Sequence, residues 1–285
     1  MKEIVVKIGK EPALTTIFSA PKNLDTNKPA VLIFNSGVMH HIGTCRISVT
    51  IARKLARSGI LAARFDFSGI GDSTTRRGNL PFEQSSVEEI RQVMDYLEQK
   101  KGIRKFIVYG LCSGADAAYE IAKVEPRICG IIQIDAYCYR TPKWYIKHYG
   151  PRLINPGVWK RILLRLVGKA NHTRSEGENI DDEYLEMPSY IRVFPPRNEV
   201  AKGLQQIIDN DVSIYSIFTG GMMYTMNYHG QFEDAFRDVD FKGRLKAEWY
   251  PELDHILTHV ELQKKLPEYI CRWVQENSDP TSQAT

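Results

Sequence analysis

The turn at residues 110–114 carries the strongest chemical signal in the sequence. It reads Gly-Leu-Cys-Ser-Gly and lies between an apolar strand predicted over Lys105–Tyr109 and a helix predicted over Ala115–Val124. A sharp strand–turn–helix connection of this kind holds a nucleophile in a strained conformation at the edge of a sheet. The amides at the start of the following helix stabilise negative charge and lower the pKa of a thiol placed there.

The positions of the glycines distinguish between the two candidate nucleophiles in this turn. Small residues are needed two positions before and after the nucleophile, because a Cβ atom there would collide with the neighbouring strand or helix. Centring the pattern on Cys112 places Gly110 and Gly114 at these positions, whereas centring it on Ser113 does not. The sequence therefore predicts that Cys112 is the nucleophile. The alternative is a buried structural cysteine beside a glycine turn.

A histidine near the C-terminus is the predicted general base for this thiol. His255 lies between the last predicted strand, Leu245–Tyr250, and the last predicted helix, His259–Val274. This places the base after the nucleophile in the chain, as in one of the known triad orders. His255 and His259 are four residues apart, but the zinc-protease pattern requires Glu directly after the first histidine, and Ile256 is there. We therefore expect neither a metal nor a cofactor.

An acid is needed to orient the histidine and to stabilise its imidazolium form. The usual position for it, the loop Thr219–Tyr224 after the seventh predicted strand, contains no carboxylate. The sixth predicted strand, Ile128–Ile134, is followed directly by Asp135, so we predict that Asp135 is the orienting acid. The alternative for Asp135 is a strand-end residue that caps a turn. Asp254 is less favoured because its side chain should point away from that of its neighbour, His255.

The loops around this triad supply the predicted oxyanion hole and substrate contacts. The backbone N–H of Ser113 is one predicted oxyanion donor, and the N–H of Gly37 or Val38, in the loop after the predicted strand Ala30–Phe34, is the other. Four residues are candidate substrate contacts, namely His40, Tyr137, Trp144 and Met222.

The remaining cysteines and histidines are given no chemical role. Four cysteines are expected to be small apolar core residues: Cys45, Cys129, Cys138 and Cys271. Five histidines are expected in loops or at the surface: His40, His41, His148, His172 and His229.

Alternating strand and helix patterns along most of the chain predict the scaffold for these residues. Such alternation is typical of βαβ crossovers and a mainly parallel sheet, so we predict an α/β fold with an eight-stranded sheet flanked by helices. The alternation is interrupted at residues 141–200, which we interpret as a cap inserted between the sixth and seventh strands. The predicted core therefore comprises residues 1–140 and 201–285, and the cap residues 141–200.

Several of these stretches together resemble the α/β-hydrolase superfamily. Motifs of that superfamily are similar to two stretches, the run Arg64-Phe-Asp-Phe-Ser-Gly-Ile-Gly-Asp-Ser73 and the turn at residues 110–114. A narrower resemblance is to the hydrolase type 1 proteins associated with the exosortase A system, which are relatives of the serine aminopeptidases. It is carried by Ile42–Arg46, Tyr145–Tyr149 and Trp159–Arg161. The resemblance implies an α/β-hydrolase fold and a catalytic triad. The chain departs from the pattern of these relatives at two positions. It has Met222 where the relatives have an acid, and Asp135 where they have Asn.

The predicted cap is strongly basic at its start. Nine Lys or Arg and no Asp or Glu lie between Arg140 and Arg174, interleaved with Trp144, Tyr145, Tyr149 and Trp159, and six acids follow within Glu176–Glu186. A solvated amphipathic helix is one interpretation. Docking of an acidic donor, such as a phosphopantetheine-bearing acyl carrier protein or a coenzyme A thioester, is the functional one. We expect no nucleic-acid partner, because no recognised module accompanies the aromatic residues, and we leave a homodimer open.

Composition and length restrict the class of protein. The 285 residues are 43% hydrophobic and 25% charged with a net charge of +4, which is typical of a globular domain and too small a charge to indicate nucleic-acid binding by itself. No run approaches the ~18 apolar residues of a membrane span, and the charged start, MKEIVVKIGKEP, does not resemble a signal peptide. Five cysteines in such a chain indicate reduced thiols, so we expect a cytoplasmic protein.

These features lead to one functional hypothesis and two alternatives. The chain is expected to be a hydrolase, thioesterase or acyltransferase that transfers the acyl group of an ester or thioester through an acyl-enzyme on Cys112. The first alternative is a catalytically silent binding protein with the same fold, which the lack of an acid in the usual loop motivates. The second is a lyase or carbon–carbon bond-forming enzyme that uses His255 as a base without a covalent intermediate.

Overall fold

Eight strands form a single sheet with helices on both faces. The structure is a computed structural model and describes residues 1–154, 192–222 and 224–278. In chain order the strands are β1 Lys2–Ile8, β2 Leu14–Ala20, β3 Ala30–Phe34, β4 Ala62–Phe65, β5 Phe106–Leu111, β6 Ile128–Ile134, β7 Ser213–Thr219 and β8 Leu245–Tyr250. Their order across the sheet is β1-β2-β4-β3-β5-β6-β7-β8. The first two pairings, β1 with β2 and β2 with β4, are antiparallel, and the others are parallel.

Apolar side chains on one face of each main helix pack against the two faces of this sheet. The helices are α1 Ile47–Arg57, α2 Phe82–Lys101, α3 Ser113–Val124, α4 Pro142–Ile154, α5 Arg197–Asp209, α6 Gln231–Ala235 and α7 Val260–Glu276. One buried cluster packs α2, α3 and α5 on one face, and a second packs α1 and α7 on the other. The central strand β3, Ala-Val-Leu-Ile-Phe, is buried at all five positions, as expected for a strand covered on both faces.

The parallel part of the sheet fixes where the functional residues lie. Because β3, β5, β6, β7 and β8 run in the same direction, their carboxyl ends meet at one edge, and ligands of open α/β sheets bind outside that edge. The loops that leave these five strands begin at residues 35, 112, 135, 220 and 251. Residues far apart in the sequence are therefore brought together by strand order alone.

The structure modifies three predictions about secondary elements. The helical spacing of apolar residues over Thr44–Ser58 predicts a helix from Thr44, but the chain becomes α-helical only at Ile47, because Cys45 and Arg46 adopt positive φ values of 47° and 61°. The run Ile60–Phe67 predicts the fourth strand, whereas β4 extends only over Ala62–Phe65. The helix α5 begins at Arg197, before the predicted end of the cap, and packs on α3 of the core.

Most of the predicted cap falls on residues that the structure does not describe. The segment between β6 and β7 contains α4, the described part of that segment from Arg192, and α5. Trp159, His172, the basic residues beyond residue 155 and the acidic stretch Glu176–Glu186 lie outside the described residues. The cap as a separate unit stays a prediction.

Candidate active site

The turn after β5 has the geometry that the glycine pattern predicts. Cys112 has φ 54° and ψ −116°, a conformation that non-glycine residues rarely adopt. Its amide donates to the Ile134 carbonyl across the sheet at 2.9 Å. A Cβ atom on Gly110 would lie 2.0 Å from the Gly114 carbonyl oxygen, and one on Gly114 would lie 3.0 Å from the Asn35 carbonyl oxygen. The two glycines therefore permit the close approach of α3 to β3 and β5.

The helix α3 begins directly after Cys112. The Cys112 carbonyl accepts hydrogen bonds from the amides of Ala115 and Asp116 at 2.9 and 3.2 Å, so Cys112 occupies the N-cap position. The N-terminal end of a helix carries partial positive charge, which favours a thiolate. Cys112 is also partly accessible to solvent, whereas Cys138 and Cys271 are buried.

A buried carboxylate at the end of β6 holds the histidine that follows β8. Asp135 Oδ2 lies 2.5 Å from His255 Nδ1. The same carboxylate accepts hydrogen bonds from Thr219, at 2.7 Å from its amide to Oδ1 and 2.8 Å from its hydroxyl to Oδ2. Asp135 is fully buried and has a positive φ of 54°. Asp254, by contrast, accepts from the Thr258 amide at 2.7 Å and does not contact the ring of His255 in this way.

The protonation energetics couple the thiol to the imidazole. The pKa of His255 is raised to about 10. Hydrogen bonding to Asp135 is the largest cause of this shift, and the interaction with Cys112 is the next. Burial alone would raise the pKa of the Cys112 thiol, but hydrogen bonding to His255 and the positive charges of Arg192 and His255 outweigh it and lower that pKa. Burial instead raises the thiol pKa of Cys129 to about 11 and that of Cys138 to about 12. Cys112 is thus placed to form a thiolate paired with a protonated His255.

A partly buried arginine that has no predicted role also faces this site. Arg192 forms a bidentate ion pair with Asp116, with Nε–Oδ2 and Nη2–Oδ1 distances of 2.7 and 2.5 Å, and donates from Nη1 to the Asp135 carbonyl at 2.7 Å. Nothing in the spacing around Arg192 marks it, since its partners lie 57 and 76 positions away. The available signal was Asp116, one helical turn after Cys112, because an acid on the first turn of a core helix needs a partner when it is buried.

The loop after β3 approaches the first turn of α3, as predicted for an oxyanion loop. The Gly37 amide donates to the Ser113 hydroxyl oxygen at 2.7 Å, and the Asn35 side chain donates to the Gly37 carbonyl at 2.8 Å. The N–H of Gly37 is therefore already used, which leaves Val38 as the other predicted donor on this loop. Val38 is 79% exposed.

A cavity of about 500 Å³ opens beside Ser113 and Gly37. Its wall is contributed by the Phe67–Ile70 loop, the start of α2, the outer face of α3 and the segment at Arg192. The apolar part of the wall includes Phe67, Ile70, Phe82, Ala117, Tyr137 and Val193. This volume lies within the usual range for small-molecule sites.

The four candidate substrate contacts occupy different environments. Tyr137 lines the cavity beside Ser113, and exposed His40 lines a much smaller pocket in the loop after β3. Met222 is buried and its sulfur accepts from the Tyr224 hydroxyl at 3.4 Å. Trp144 is buried under the guanidinium of Arg140, 4.5 Å from its ring, and it does not belong to the wall of the cavity beside Ser113.

His41 lies in a loop, as expected, but its side chain is only 10% exposed, and its Nδ1 lies 2.5 Å from Oδ2 of the buried Asp66. One expectation about the other residues was wrong. Cys45 is not a core residue, since the left-handed turn before α1 exposes it to solvent. Among the residues that the structure describes, no group of three or more His, Cys, Asp or Glu side chains is arranged to hold a metal ion. Within the same ranges, no helix has both the length and the apolar character that a bilayer-spanning segment requires.

Comparison with known proteins defines the class of this chain. The family described as serine aminopeptidase, S33, matches residues 26–186, more than half of the sequence, and the chain belongs to this family. It is therefore an α/β-hydrolase, and the eight-stranded sheet confirms the predicted fold. The description of the family names serine enzymes, whereas the predicted nucleophile in the turn after β5 of this chain is Cys112. No curated protein sequence matches the chain.

Solved structures with the same fold extend over nearly the whole chain. The proline iminopeptidase of Mycobacterium smegmatis is 16% identical with a TM-score of 0.56, and the match covers 97% of this chain and 99% of that one. An esterase of Pyrococcus furiosus is 12% identical with a TM-score of 0.59, covering 98% and 91%. Est1E from Butyrivibrio proteoclasticus is 13% identical with a TM-score of 0.58, covering 96% and 98%. At these identities the likeness concerns the fold alone.

Proposed function

We propose that the protein transfers acyl groups from an ester or thioester through a covalent intermediate on Cys112. The observation that carries this proposal is the convergence at one sheet edge of a strained, partly accessible thiol with lowered pKa and an imidazole held by the buried Asp135. A structural cysteine needs neither the strained backbone nor the paired histidine. Two of the similar structures are a peptidase and an esterase by their names, and both of these reactions are acyl transfers to water.

The proposed reaction divides into two steps. The Cys112 thiolate attacks the acyl carbonyl carbon, and the carbonyl electrons move onto the oxygen, where the N–H groups of Ser113 and Val38 stabilise the charge. The tetrahedral intermediate collapses, the bond to the leaving group breaks, and protonated His255 gives that group its proton. Water or an acceptor hydroxyl or amine then attacks the thioester. His255 takes the proton of this second nucleophile and Cys112 leaves as thiolate.

Asp135 has an orienting role in this scheme. It fixes the tautomer of His255 through Nδ1, so that the other ring nitrogen faces the reacting atoms, and it stabilises the imidazolium. Thr219 in turn holds the Asp135 carboxylate through two hydrogen bonds. The predominantly apolar wall beside Ser113 fits the acyl group rather than a charged leaving group.

Intact-mass spectrometry after incubation with a panel of acyl esters and acyl thioesters tests this proposal. The unmodified chain should gain one acyl mass, located on Cys112 by peptide analysis, and C112A should gain none and lose turnover by at least about a thousandfold. The exposed thiol of Cys45 makes C45A the matched control, and C45A should label like the unmodified chain. Selective labelling of Cys45, absence of labelling, or full turnover by C112A would each contradict the proposal; the last two would favour the silent protein and the non-covalent enzyme, respectively.

We also propose that the acyl donor carries phosphate, as coenzyme A and acyl carrier proteins do. A second cavity, of about 550 Å³, lies between the start of α4 and the end of α6, and its described wall includes four basic side chains: Arg140, Lys143, Arg197 and Arg237. Asp238 pairs with Arg197, and Asp234 is 3.8 Å from Lys143. The cavity therefore retains a net positive charge, which favours anionic ligands.

Calorimetric titration with coenzyme A and with uncharged pantetheine separates charge from shape. Coenzyme A should bind more tightly, and its affinity should fall as salt rises from 50 to 200 mM. The variants K143E and R237E should weaken it about tenfold or more, whereas K22E, at an exposed lysine elsewhere on the chain, should not. Equal binding of pantetheine and coenzyme A would contradict a phosphate-bearing donor and leave the role of Cys112 untouched.

A further inference from the structure

Among the described residues, Arg192 is a cation with several partners close to the turn that carries the proposed nucleophile. Its side chain is 16% exposed and three of its nitrogens have acceptors, two on the Asp116 carboxylate and one on the Asp135 carbonyl. Its guanidinium carbon also lies 5.1 Å from the ring centroid of Tyr137 and 4.9 Å from that of Phe194. Such a set of contacts fixes both the position and the plane of the guanidinium.

The contact with Asp135 has a specific structural consequence. Asp135 has a positive φ of 54°, a conformation that a residue with a Cβ atom adopts only at a cost in energy. Its amide donates to the Ile217 carbonyl at 2.8 Å, and its own carbonyl accepts from Arg192 at 2.7 Å. Both ends of this strained residue are therefore held in place, and with them the carboxylate that orients His255.

We propose that Arg192 is a positioning residue for the chemistry of Cys112, in that it holds the backbone of Asp135 and keeps a fixed positive charge at Asp116, on the first turn of the helix that Cys112 caps. This inference rests on the proposed function, since it concerns the same nucleophile. Arg192 acts through Cys112 and Asp135 and needs no contact with substrate.

The charged and titratable groups around the thiol determine how this role is measured. Cys112 is influenced by His255 and Arg192 and by the Tyr224 hydroxyl. Arg192 is influenced in turn by Asp116 and Tyr137. Burial alone would lower the pKa of Arg192, but the hydrogen bonds and charge of Asp116 outweigh it and raise that pKa. The guanidinium thus stays charged over the pH range in which thiols titrate.

Substitutions of the two partners in the Arg192–Asp116 ion pair should shift the pKa of the Cys112 thiol in opposite directions. Replacing Arg192 by Gln removes the positive charge and leaves the Asp116 carboxylate uncompensated, which should raise the pKa of the thiol. Replacing Asp116 by Asn leaves Arg192 uncompensated, which should lower it further. A role confined to stability predicts no such reversal, because both variants break the same ion pair.

The rate of Cys112 alkylation by iodoacetamide as a function of pH measures this directly, because the thiolate is the reacting form. The R192Q variant should move the midpoint of the profile upward by at least about one pH unit, slowing alkylation at pH 6 about tenfold with an unchanged plateau at high pH. D116N should move the midpoint downward. R192K keeps the charge and should restore the profile to within about half a unit. Peptide mass analysis assigns the modification to Cys112, and thermal unfolding reports the stability of each variant.

The outcomes separate this inference from the proposed function. Profiles that coincide for the unmodified chain, R192Q and D116N, with lowered melting temperatures, would overturn the role of Arg192 and leave the nucleophile intact. A Cys112 that alkylates no faster than a denatured cysteine at pH 6 would overturn the proposed function and, with it, this inference. If R192Q does not fold, an upward or absent shift in D116N still contradicts the proposal.

Discussion

Two histidine–aspartate pairs among the described residues have the same contact distance and different surroundings. In each pair Nδ1 lies 2.5 Å from Oδ2 of a fully buried aspartate. Asp66 directly follows β4 and Asp135 directly follows β6. His41 belongs to the loop after β3, and His255 to the loop after β8. Strand ends and loops of one sheet edge thus produce the same dyad twice.

The two pairs differ in the other contacts and in the solvent exposure of their histidines. The His41 backbone amide also donates to Asp66, at 2.5 Å to Oδ1, and the His41 side chain is 10% exposed. This pair closes a loop onto the end of β4. The second oxygen of Asp135 is bound instead by Thr219, and the His255 side chain is 39% exposed and interacts with Cys112. A histidine–aspartate pair is therefore a candidate for catalysis only when the opposite ring nitrogen faces an accessible nucleophile.

The largest expected difference between the pairs is in the effect of removing each negative charge. D135N should slow acylation of Cys112 by roughly a thousandfold or more, because the wrong imidazole tautomer would be favoured. D66N should leave that rate within about threefold and lower thermal stability instead, since a buried partner is lost. Single-turnover acylation with an activated ester measures both. Equal losses of rate in the two variants would show that the two pairs do not differ in their role in acylation.

A smaller effect is expected from the residue that distinguishes the two carboxylates. T219V removes the hydroxyl that donates to Asp135 Oδ2 and keeps the backbone amide, so acylation should slow by about tenfold, the equivalent of one hydrogen bond to a charged group. T219S retains the hydroxyl and is the matched control. The same single-turnover assay applies. An unchanged rate in T219V would mean that the Thr219 amide and His255 suffice to fix the orientation of Asp135.

The smallest expected effect is in the pH dependence of stability. The pKa of His255 is raised to about 10 in the folded chain from a value near 6.5 when unfolded. A group of this kind contributes stability that is fully present below pH 6.5 and is lost as pH rises through 10. Because 39% of the side chain is exposed, solvent screening should limit the contribution to about 1–2 kcal/mol.

Urea denaturation at pH 6, 8 and 10 tests this dependence through the difference between variants. The unmodified chain and H41Q should lose this stability with rising pH, since both keep the Asp135–His255 pair, whereas H255Q should lack that part of the decrease. If H255Q and the unmodified chain differ by the same free energy at pH 6 and at pH 10, the pairing of His255 does not stabilise the fold in the expected way.

Prediction from sequence succeeded where the signal is local or follows from strand order. The glycines of the turn after β5 were identified from spacing, and the structure has the close contacts that require them. The contact between Asp135 and His255 follows from parallel strands, whose carboxyl ends share one edge, although its catalytic role stays a prediction. The left-handed residues before α1 left no pattern, because Cys45 and Arg46 have no intrinsic preference for positive φ.

The sequence by itself determined the order of elements, the strained turn and the residue types at the strand ends, because periodicity, glycine positions and apolar runs act over a few neighbouring residues. Only the tertiary structure decided which histidine pairs with Asp135 and which pairs with Asp66. It also decided that Arg192 pairs with Asp116, 76 positions away in the sequence. Finally, it decided that the Ser113 hydroxyl accepts a hydrogen bond from the Gly37 amide. The physical reason is that a buried charge or donor takes whichever partner the packing of distant elements brings within about 3 Å, and no local pattern records that distance.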